Sequence, residues 1–318
     1  MKILLELPSW LGDAVMTTPA IENLSNQFPN ALITFIGEAA PIELFKLHPK
    51  RNKCVHIEKN IMKIPLFAKK LGKFDIFLSF RSSKRTTFLK FFINSAKKYQ
   101  YKRNKYNDEK IHQVEKYNFF ISELTKEKSL PEKLKIYGYE SRKKLTREYI
   151  VISPGANFGS AKRWYPERFA EIAKYFSRDF DIKIIGSKNE TEIASSILKN
   201  FYLIGGKKID NLTDKTSIQD LIKIISSSSF FIGCDSGPAH IAASFEIPSI
   251  IIFGPTKPNE TCQWKNISSF IVKKDLDCQP CMKRTCPLGH HECMKKISSN
   301  DLIQLYEEQY LKKNKIKN

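Results

Sequence analysis

No apolar run in this 318-residue chain approaches the ~18 residues of a membrane-spanning helix, so no span is expected. The opening residues do not read as a secretory leader, because Glu6 and Pro8 interrupt the apolar stretch before it reaches h-region length. There is no Gly-x-Gly-x-x-Gly, which argues against a dinucleotide cofactor and an NAD-dependent oxidoreductase. Zinc-finger, KH and RNP patterns are missing, so nucleic acid is not favoured as a partner. Repeats of solenoid spacing and low-complexity tracts are missing too. Acid is scarce relative to base, with 33 Asp and Glu against 53 Lys and Arg. The seven cysteines, with no export signal, are expected to be reduced thiols in the cytosol.

What remains is a soluble globular composition, 42% hydrophobic and 27% charged, long enough for two domains. The net charge of +20 is uneven. Residues 1–146 carry 28 Lys and Arg against 14 Asp and Glu, and residues 147–318 carry 25 against 19. Such a surplus points to an anionic partner: nucleic acid, phosphorylated lipid or an anionic membrane face. General lysine enrichment is the plainer alternative.

Short apolar strands alternate with helices in both halves. Ile3–Leu7 reads as a strand, Pro8-Ser9-Trp10-Leu11-Gly12-Asp13 as a loop, and Ala14–Phe28 as a helix. Strands at Leu32–Gly37 and Phe74–Phe80 follow, with a helix at Ile42–Leu47 between them. Residues 139–149 are polar and charged and read as a linker. The pattern restarts with strands at Tyr149–Ile152, Ile182–Gly186, Phe230–Ile232 and Ser249–Phe253, and helices at Glu167–Phe176 and Glu190–Leu198. Thr216-Ser217-Ile218-Gln219 matches a capping box. Asp301–Tyr310 reads as a last helix, and Lys312–Lys317 as a solvated basic end. The expected class is α/β, two parallel-sheet domains facing a central cleft. Their expected bounds are 1–146 and 147–300, with a C-terminal helix and tail at 301–318.

One stretch organises the second half: Gly233-Cys234-Asp235-Ser236-Gly237-Pro238-Ala239-His240. Gly237 lets a ligand approach the backbone, and Pro238 suits a first helical turn. Free N–H groups at such a helix start, with the helix dipole behind them, form an anion site, and a diphosphate is the expected ligand. An ordinary strand-to-helix turn is the bland reading. Asp13 likewise is either a helix cap or a carboxylate held where strands end and α/β sheets bind ligands. The basic stretch Lys97–Tyr106, interleaved with tyrosines, suits nucleic acid or lipid headgroups, or is a solvated strand and loop. Cys278-Gln-Pro-Cys281, followed by Cys286 and Cys293, resembles a zinc knuckle, and reduced loop thiols are the alternative. Cys54, Cys234 and Cys262 read as packing residues.

Taken together, Pro8–Asp13, Ser153-Pro154-Gly155-Ala156 with Lys162-Arg163-Trp164, Cys234–His240 and Phe253-Gly254-Pro255-Thr256 resemble the ADP-heptose:lipopolysaccharide heptosyltransferases. Order and spacing match over essentially the whole chain, and the segment Cys278–Cys293 is most similar to the type II branch. The resemblance implies a GT-B fold with two Rossmann-like domains, the first for acceptor and the second for nucleotide sugar. It implies inverting transfer from ADP-L-glycero-β-D-manno-heptose to the heptose of heptosyl-Kdo2-lipid A. Type I or III, or another nucleotide-sugar glycosyltransferase, is the alternative within the class. A non-enzymatic basic protein binding anionic lipid or nucleic acid is the alternative outside it.

By resemblance Asp13 is the base and Lys162 the phosphate- and sugar-binding lysine, against readings of Lys162 as a surface residue and His240 as a core one. Ser153, Glu190, Thr216, Asp235, Ser236, Gly237 and His240 are the remaining donor-site candidates, with Glu190 set towards the ribose and Thr216 towards the adenine. Arg81, Lys84 and Arg85, in the loop closing the third strand, are the acceptor-site candidates. No Asp-x-Asp stands where a GT-A enzyme would need one, so no metal is expected in the chemistry. A structural zinc at Cys278, Cys281, Cys286 and Cys293 is expected only on the knuckle resemblance. The expected location is cytoplasmic, with reversible, salt-sensitive attachment to the inner face of the membrane. The final helix is expected to cross back to the first domain.

Overall fold

The computed structural model describes residues 1–106, 108–139 and 148–311. The chain divides into two compact units, Met1–Tyr139 and Glu140–Asn318. Most of the linker expected at 139–149, and the basic tail from Lys312, lie outside the described residues.

The first unit carries β1 (Lys2–Glu6), β2 (Leu32–Gly37), β3 (Arg51–His56), β4 (Lys73–Ser79) and β5 (Asn94–Gln100). Its helices are α1 (Leu11–Met16), α2 (Thr18–Gln27), α3 (Ala39–Glu43), α4 (Ile64–Leu71), α5 (Lys84–Phe92) and α6 (Gln113–Thr125). All five strands are parallel, in the order β3-β2-β1-β4-β5. Central β1 is an unbroken apolar run up to Glu6, as a strand buried on both faces should be.

The helix expected over Ala14–Phe28 is two helices. Pro19 has no N–H to continue the ladder, so the chain breaks at Thr17, whose hydroxyl donates to the Ala14 carbonyl at 2.7 Å. The helix expected at Ile42–Leu47 lies earlier, at Ala39–Glu43. The basic stretch Lys97–Tyr106 is the end of edge strand β5 and a 3-10 turn at Arg103–Tyr106. Its Tyr101 is buried, stacked on Tyr106 at 5.1 Å and packed on Tyr117, so that ring faces the core and not a nucleic-acid base.

The second unit carries β6 (Tyr149–Ser153), β7 (Asp181–Ile184), β8 (Asp210–Asn211), β9 (Phe230–Cys234), β10 (Ser249–Ile252) and β11 (Ser269–Val272). Its helices are α7 (Pro166–Phe176), α8 (Thr191–Leu203), α9 (Ile218–Ser226), α10 (Gly237–Ser244), α11 (Pro258–Thr261), α12 (Glu292–Lys295) and α13 (Ser299–Tyr306). The sheet is again all parallel, ordered β11-β10-β9-β6-β7-β8. Alternate residues Ile150, Ile152, Ile182, Ile184, Phe230, Ile232, Ile250 and Ile252 share one core with α7, α8 and α13.

One expectation changes here. The capping box before α9 is formed by Ser217 and Asp220, so Thr216 stands one residue outside the helix. The last helix continues through a π-helical turn, Glu307–Leu311, and packs within its own unit. Tyr306 meets Phe176 at 4.6 Å and Phe230 at 5.2 Å, and Tyr310 meets Phe230 at 4.8 Å and Phe270 at 5.5 Å. Aromatic packing holds the described part of this helix on the second sheet.

Candidate functional site

In each sheet the chain builds outward in one direction, then returns to the centre and builds the other way. The reversal falls between β1 and β4 in the first unit and between β6 and β9 in the second. Open α/β sheets bind ligands beyond the carboxyl ends of the strands at such a reversal. The loops after these four strands hold most of the candidate residues.

In the second unit, β6 ends at Ser153 and leads to a 3-10 turn, Ser160–Lys162. The Lys162 ammonium donates to the Asp235 carboxylate at 2.6 Å and to the Asp235 carbonyl at 3.1 Å. Asp235 directly follows β9 and is buried. Its Oδ2 also accepts the Thr256 hydroxyl at 2.8 Å, from the loop after β10. Three adjacent strand ends thus meet at one carboxylate, 3% exposed, with a lysine 12% exposed beside it. The ammonium also stands 5.0 Å from the centre of the Phe158 ring.

Helix α10 starts immediately after this carboxylate. Ser236 is its N-cap in extended conformation, makes no side-chain cap bond, and keeps a buried hydroxyl without a partner. One turn in, buried His240 has an Nδ1 without a partner. Burial pushes its imidazole down to about 4; Asp235 opposes the shift and Lys162 adds to it. The ring is therefore neutral near pH 7 and offers one N–H donor and one acceptor.

This shift has a testable sign. Between 6.5 and about 4 the unfolded chain takes up a proton that the folded His240 refuses. The stability margin is therefore intact above pH 6.5 and shrinks as pH falls towards 4, by up to ~3 kcal/mol from this group. His240→Gln should remove that share, so the gap between wild type and variant in thermal midpoint should narrow from pH 7 to pH 4. A constant gap over that range would show that the imidazole is not held neutral.

Glu190 is buried, but its Oε2 accepts the Ser187 N–H at 2.5 Å and the Ser187 hydroxyl at 2.9 Å, in a capping box that starts the α8 segment. Its Oε1 lies against Gly155, where an added Cβ would come within 1.8 Å. Glycine at 155 is what lets the carboxylate reach the β6 loop. A Cβ on Gly186, just beyond β7, would meet the side chains of both Glu190 and Thr213. Thr213 thus stands near Glu190 at Gly186, and its buried hydroxyl has no partner, while Thr216, the candidate set towards the adenine, is half-buried.

In the first unit, Asp13 lies in the first turn of α1, and its Oδ1 accepts the Tyr117 hydroxyl at 3.3 Å. Burial, then the neighbouring Asp13 charge, pushes the Tyr117 phenol well above its ordinary value, so it stays a donor. The Tyr117 ring packs edge-on to Phe80, just past β4, at 5.3 Å. Fully buried Glu6 ends β1 and accepts the Ser79 hydroxyl at 2.7 Å and the Thr86 hydroxyl at 3.3 Å. The Arg81 guanidinium stands 3.7 Å from it. Burial raises the Glu6 carboxyl; Ser79, Arg81, Thr86 and Arg85 oppose the rise. Arg85 also donates to the Glu58 carbonyl. Arg81 and Arg85 are thus held at the strand ends, while Lys84 is exposed at the start of α5.

Sequence reasoning missed Glu6, Tyr117 and Thr213. Thr256 stood in a quoted motif without a role. The two Asp-x-Asp triplets lie elsewhere: Asp179–Asp181 at the start of β7, the other end of the sheet from Asp235, and Asp275–Asp277 after β11. Among the described residues no group of three or more His, Cys, Asp or Glu side chains could hold a metal ion.

The family model for glycosyltransferase family 9 (heptosyltransferase) matches residues 76–292. The chain belongs to glycosyltransferase family 9. A lipooligosaccharide heptosyltransferase 2 from Campylobacter jejuni subsp. jejuni serotype O:2 is 37% identical, covering 96% of this chain and 97% of the relative. The solved structure of E. coli ADP-heptose lps heptosyltransferase II matches with a TM-score of 0.75 at 20% identity, over 99% of this chain and 100% of that one. A family 9 glycosyl transferase from Veillonella parvula matches with a TM-score of 0.82 at 20% identity, over 98% and 97%. The fold is accordingly GT-B, two Rossmann-like units, and the chain is a glycosyltransferase of the heptosyltransferase family.

Proposed function

We propose that this glycosyltransferase moves L-glycero-D-manno-heptose from ADP-heptose to the first heptose of the lipopolysaccharide or lipooligosaccharide inner core, with inversion. The observation that carries the reading is the full-length identity of 37% to a lipooligosaccharide heptosyltransferase 2. The Lys162–Asp235–Thr256 cluster at the strand ends supports the donor half of it.

In this mechanism the acceptor hydroxyl attacks the anomeric carbon while Asp13 takes its proton. The bond from that carbon to the β-phosphate oxygen breaks, and ADP leaves with the electron pair. Lys162, the N–H groups at the start of α10 and the neutral His240 meet the charge that builds on the diphosphate. These groups take the place a divalent ion would have at the diphosphate. Ser153, Ser236, Gly237 and Asp235 line the donor, and Glu190 faces the ribose. Arg81, Lys84 and Arg85 meet acidic groups of the acceptor. Among the described residues no helix is long and apolar enough to cross a membrane. The basic first half would bring the enzyme to an anionic bilayer carrying the acceptor, in a salt-sensitive way.

The test is ADP release from ADP-heptose with acceptor carrying one core heptose and, in parallel, acceptor carrying none. Release only with the monoheptosylated acceptor is expected. Release with the heptose-free acceptor would make the enzyme type I in specificity. Failure with both acceptors would overturn the substrate assignment.

A further inference from the structure

The outer faces of α4 and α5 in the first unit have no part in the mechanism above, and they are apolar on the side that meets solvent. Met62, in the 3-10 turn Ile61–Lys63 that leads into α4, is 85% exposed, and Phe91, near the end of α5, is 77% exposed. Ile61, Leu66 and Phe88 are exposed as well. The spacing explains the pattern. Ile64 and Ala68, four apart, put one side of α4 into the core, which leaves Met62 and Leu66, also four apart, on the side away from it. On α5 Leu89 is buried, and Lys84, Phe88 and Phe91 follow one another at helical spacing along the other side. The two helices pack on each other. Phe92 packs on the core, its ring centre 4.9 Å from that of Phe88 and 5.1 Å from that of Phe91, so the exposed rings stand on a fixed base.

The charge on this surface has one sign. Residues 59–72 hold four lysines, and residues 81–92 hold two lysines and two arginines, with no Asp or Glu in either stretch. Lys59 pairs with Glu38, Arg81 stands beside Glu6, and Arg85 donates to the Glu58 carbonyl. Lys63, Lys69, Lys70, Lys84 and Lys90 make no ion pair among the described residues.

This combination selects the partner. Large exposed apolar patches mark protein or membrane contacts, and lysine is depleted where proteins meet proteins. Phe, Leu and Met beside unpaired lysines suit an anionic bilayer: the apolar groups enter the acyl boundary, and the ammoniums stay at the headgroup phosphates. A second apolar patch, Tyr202, Leu203 and Ile204 at the end of α8, is confined to one helix end in the other unit. The α4 and α5 face also begins where the acceptor candidates are held. The turn before α4 follows β3, and α5 follows β4 with Lys84 in its first turn.

We propose that the outer face of α4 and α5, centred on Met62, Leu66, Phe88 and Phe91, docks on an anionic phospholipid bilayer, with Lys63, Lys69, Lys70 and Lys90 at the headgroups. Its use, to bring the enzyme to a lipid-linked acceptor, rests on the function proposed above; the binding itself does not. The attachment then has two parts. Salt screens the lysines, and the inserted side chains hold on when the charges are screened.

The experiment is cosedimentation of the full chain with vesicles of phosphatidylethanolamine containing about 30% phosphatidylglycerol, and with vesicles of phosphatidylcholine alone. Binding to the anionic vesicles is expected, with part of it kept in about 0.5 M salt, where the Debye length is only ~4 Å. Phe91→Ser and Leu66→Ser should each lower the partition coefficient in that salt about tenfold, and Leu203→Ser, in the patch of the other unit, should leave it within about twofold. Both side chains are exposed, so neither change should lower the thermal midpoint. Phe91→Trp gives a second reading, since brominated acyl chains should quench its added fluorescence. Several results would overturn the proposal: no binding to anionic vesicles, binding that Phe91→Ser and Leu66→Ser leave at full strength, or a loss caused by Leu203→Ser in their place. A change of oligomeric state in lipid-free Phe91→Ser, with vesicle binding unmoved, would overturn it too and give the face to a second copy of the chain. These vesicles carry no heptose, so the outcome is separate from the substrate assignment. With a deacylated, soluble monoheptosylated acceptor, Phe91→Ser should release ADP at the wild-type rate, whereas acceptor held in vesicles should be used about tenfold less well. Failure of the wild type with both acceptors would strike the function proposed above and not the docking.

Discussion

Asp13→Ala is expected to lower kcat by about 10³-fold while leaving the dissociation constant for ADP-heptose within about twofold of wild type. The two numbers are tied to the position of Asp13. It lies in the first unit, in the first turn of α1, whereas the donor candidates all lie in the second unit. Loss of a group that serves the acceptor hydroxyl should therefore fall on the chemical step. Tyr117 supplies the second half of the test. Its buried phenol remains protonated and donates to Asp13 across 104 positions of sequence. Tyr117→Phe removes this one bond and should cost about tenfold in kcat, with Asp13 still present. In an Asp13→Ala background the same change should cost much less, because the two residues act as a unit. Full turnover in Asp13→Ala, with ADP-heptose still bound, would remove Asp13 from the chemistry. Equal losses from Tyr117→Phe in both backgrounds would show that its hydroxyl does not act through Asp13.

The central strands were legible because they are nearly continuous apolar runs, such as Phe230–Ile232 and Ser249–Ile252, bounded by glycine or polar turns. Edge strands were not. β3, Arg-Asn-Lys-Cys-Val-His, is largely exposed, and β5 holds two lysines and a buried core-facing Tyr101 just past its end. Neither shows the alternation or apolar run by which a strand is recognised. β8 has only two residues. The loops that matter were legible as motifs, since each joins a recognisable strand to a helix start. Their partners were less so. Glu6 looked like an interruption of an apolar run, and its role appeared only when β4 placed Ser79 beside β1. The capping box shifted by one residue because Thr216 and Ser217 are both good caps, and only the Asp220 geometry chooses between them. Tyr117 had no local signal at all, because its partner is set by the packing of α6 near α1 and α2.

Lys162→Met should separate the job that the geometry gives this lysine from the one proposed for it at the donor. As the partner of Asp235 it holds a buried carboxylate at 2.6 Å. Removing one member of a buried pair leaves the other uncompensated and costs about 3 kcal/mol or more, seen as a lower thermal midpoint. As a cation at the leaving diphosphate it should be worth about 10² to 10³ in kcat. The single variant loses both, so a drop in turnover alone could reflect a weakened second unit. The double variant Lys162→Met with Asp235→Asn settles the point. The Asn amide still accepts the Thr256 hydroxyl, and no buried charge is left, so the thermal midpoint should recover most of its loss. Turnover should not recover, because no cation then faces the diphosphate. If turnover returns with stability, Lys162 serves the fold of the strand-end cluster and the departing charge is met by the α10 start and His240. If neither returns, Asp235 has its own role at the donor, which Asp235→Asn alone would then show as a loss of ADP-heptose binding with Lys162 in place.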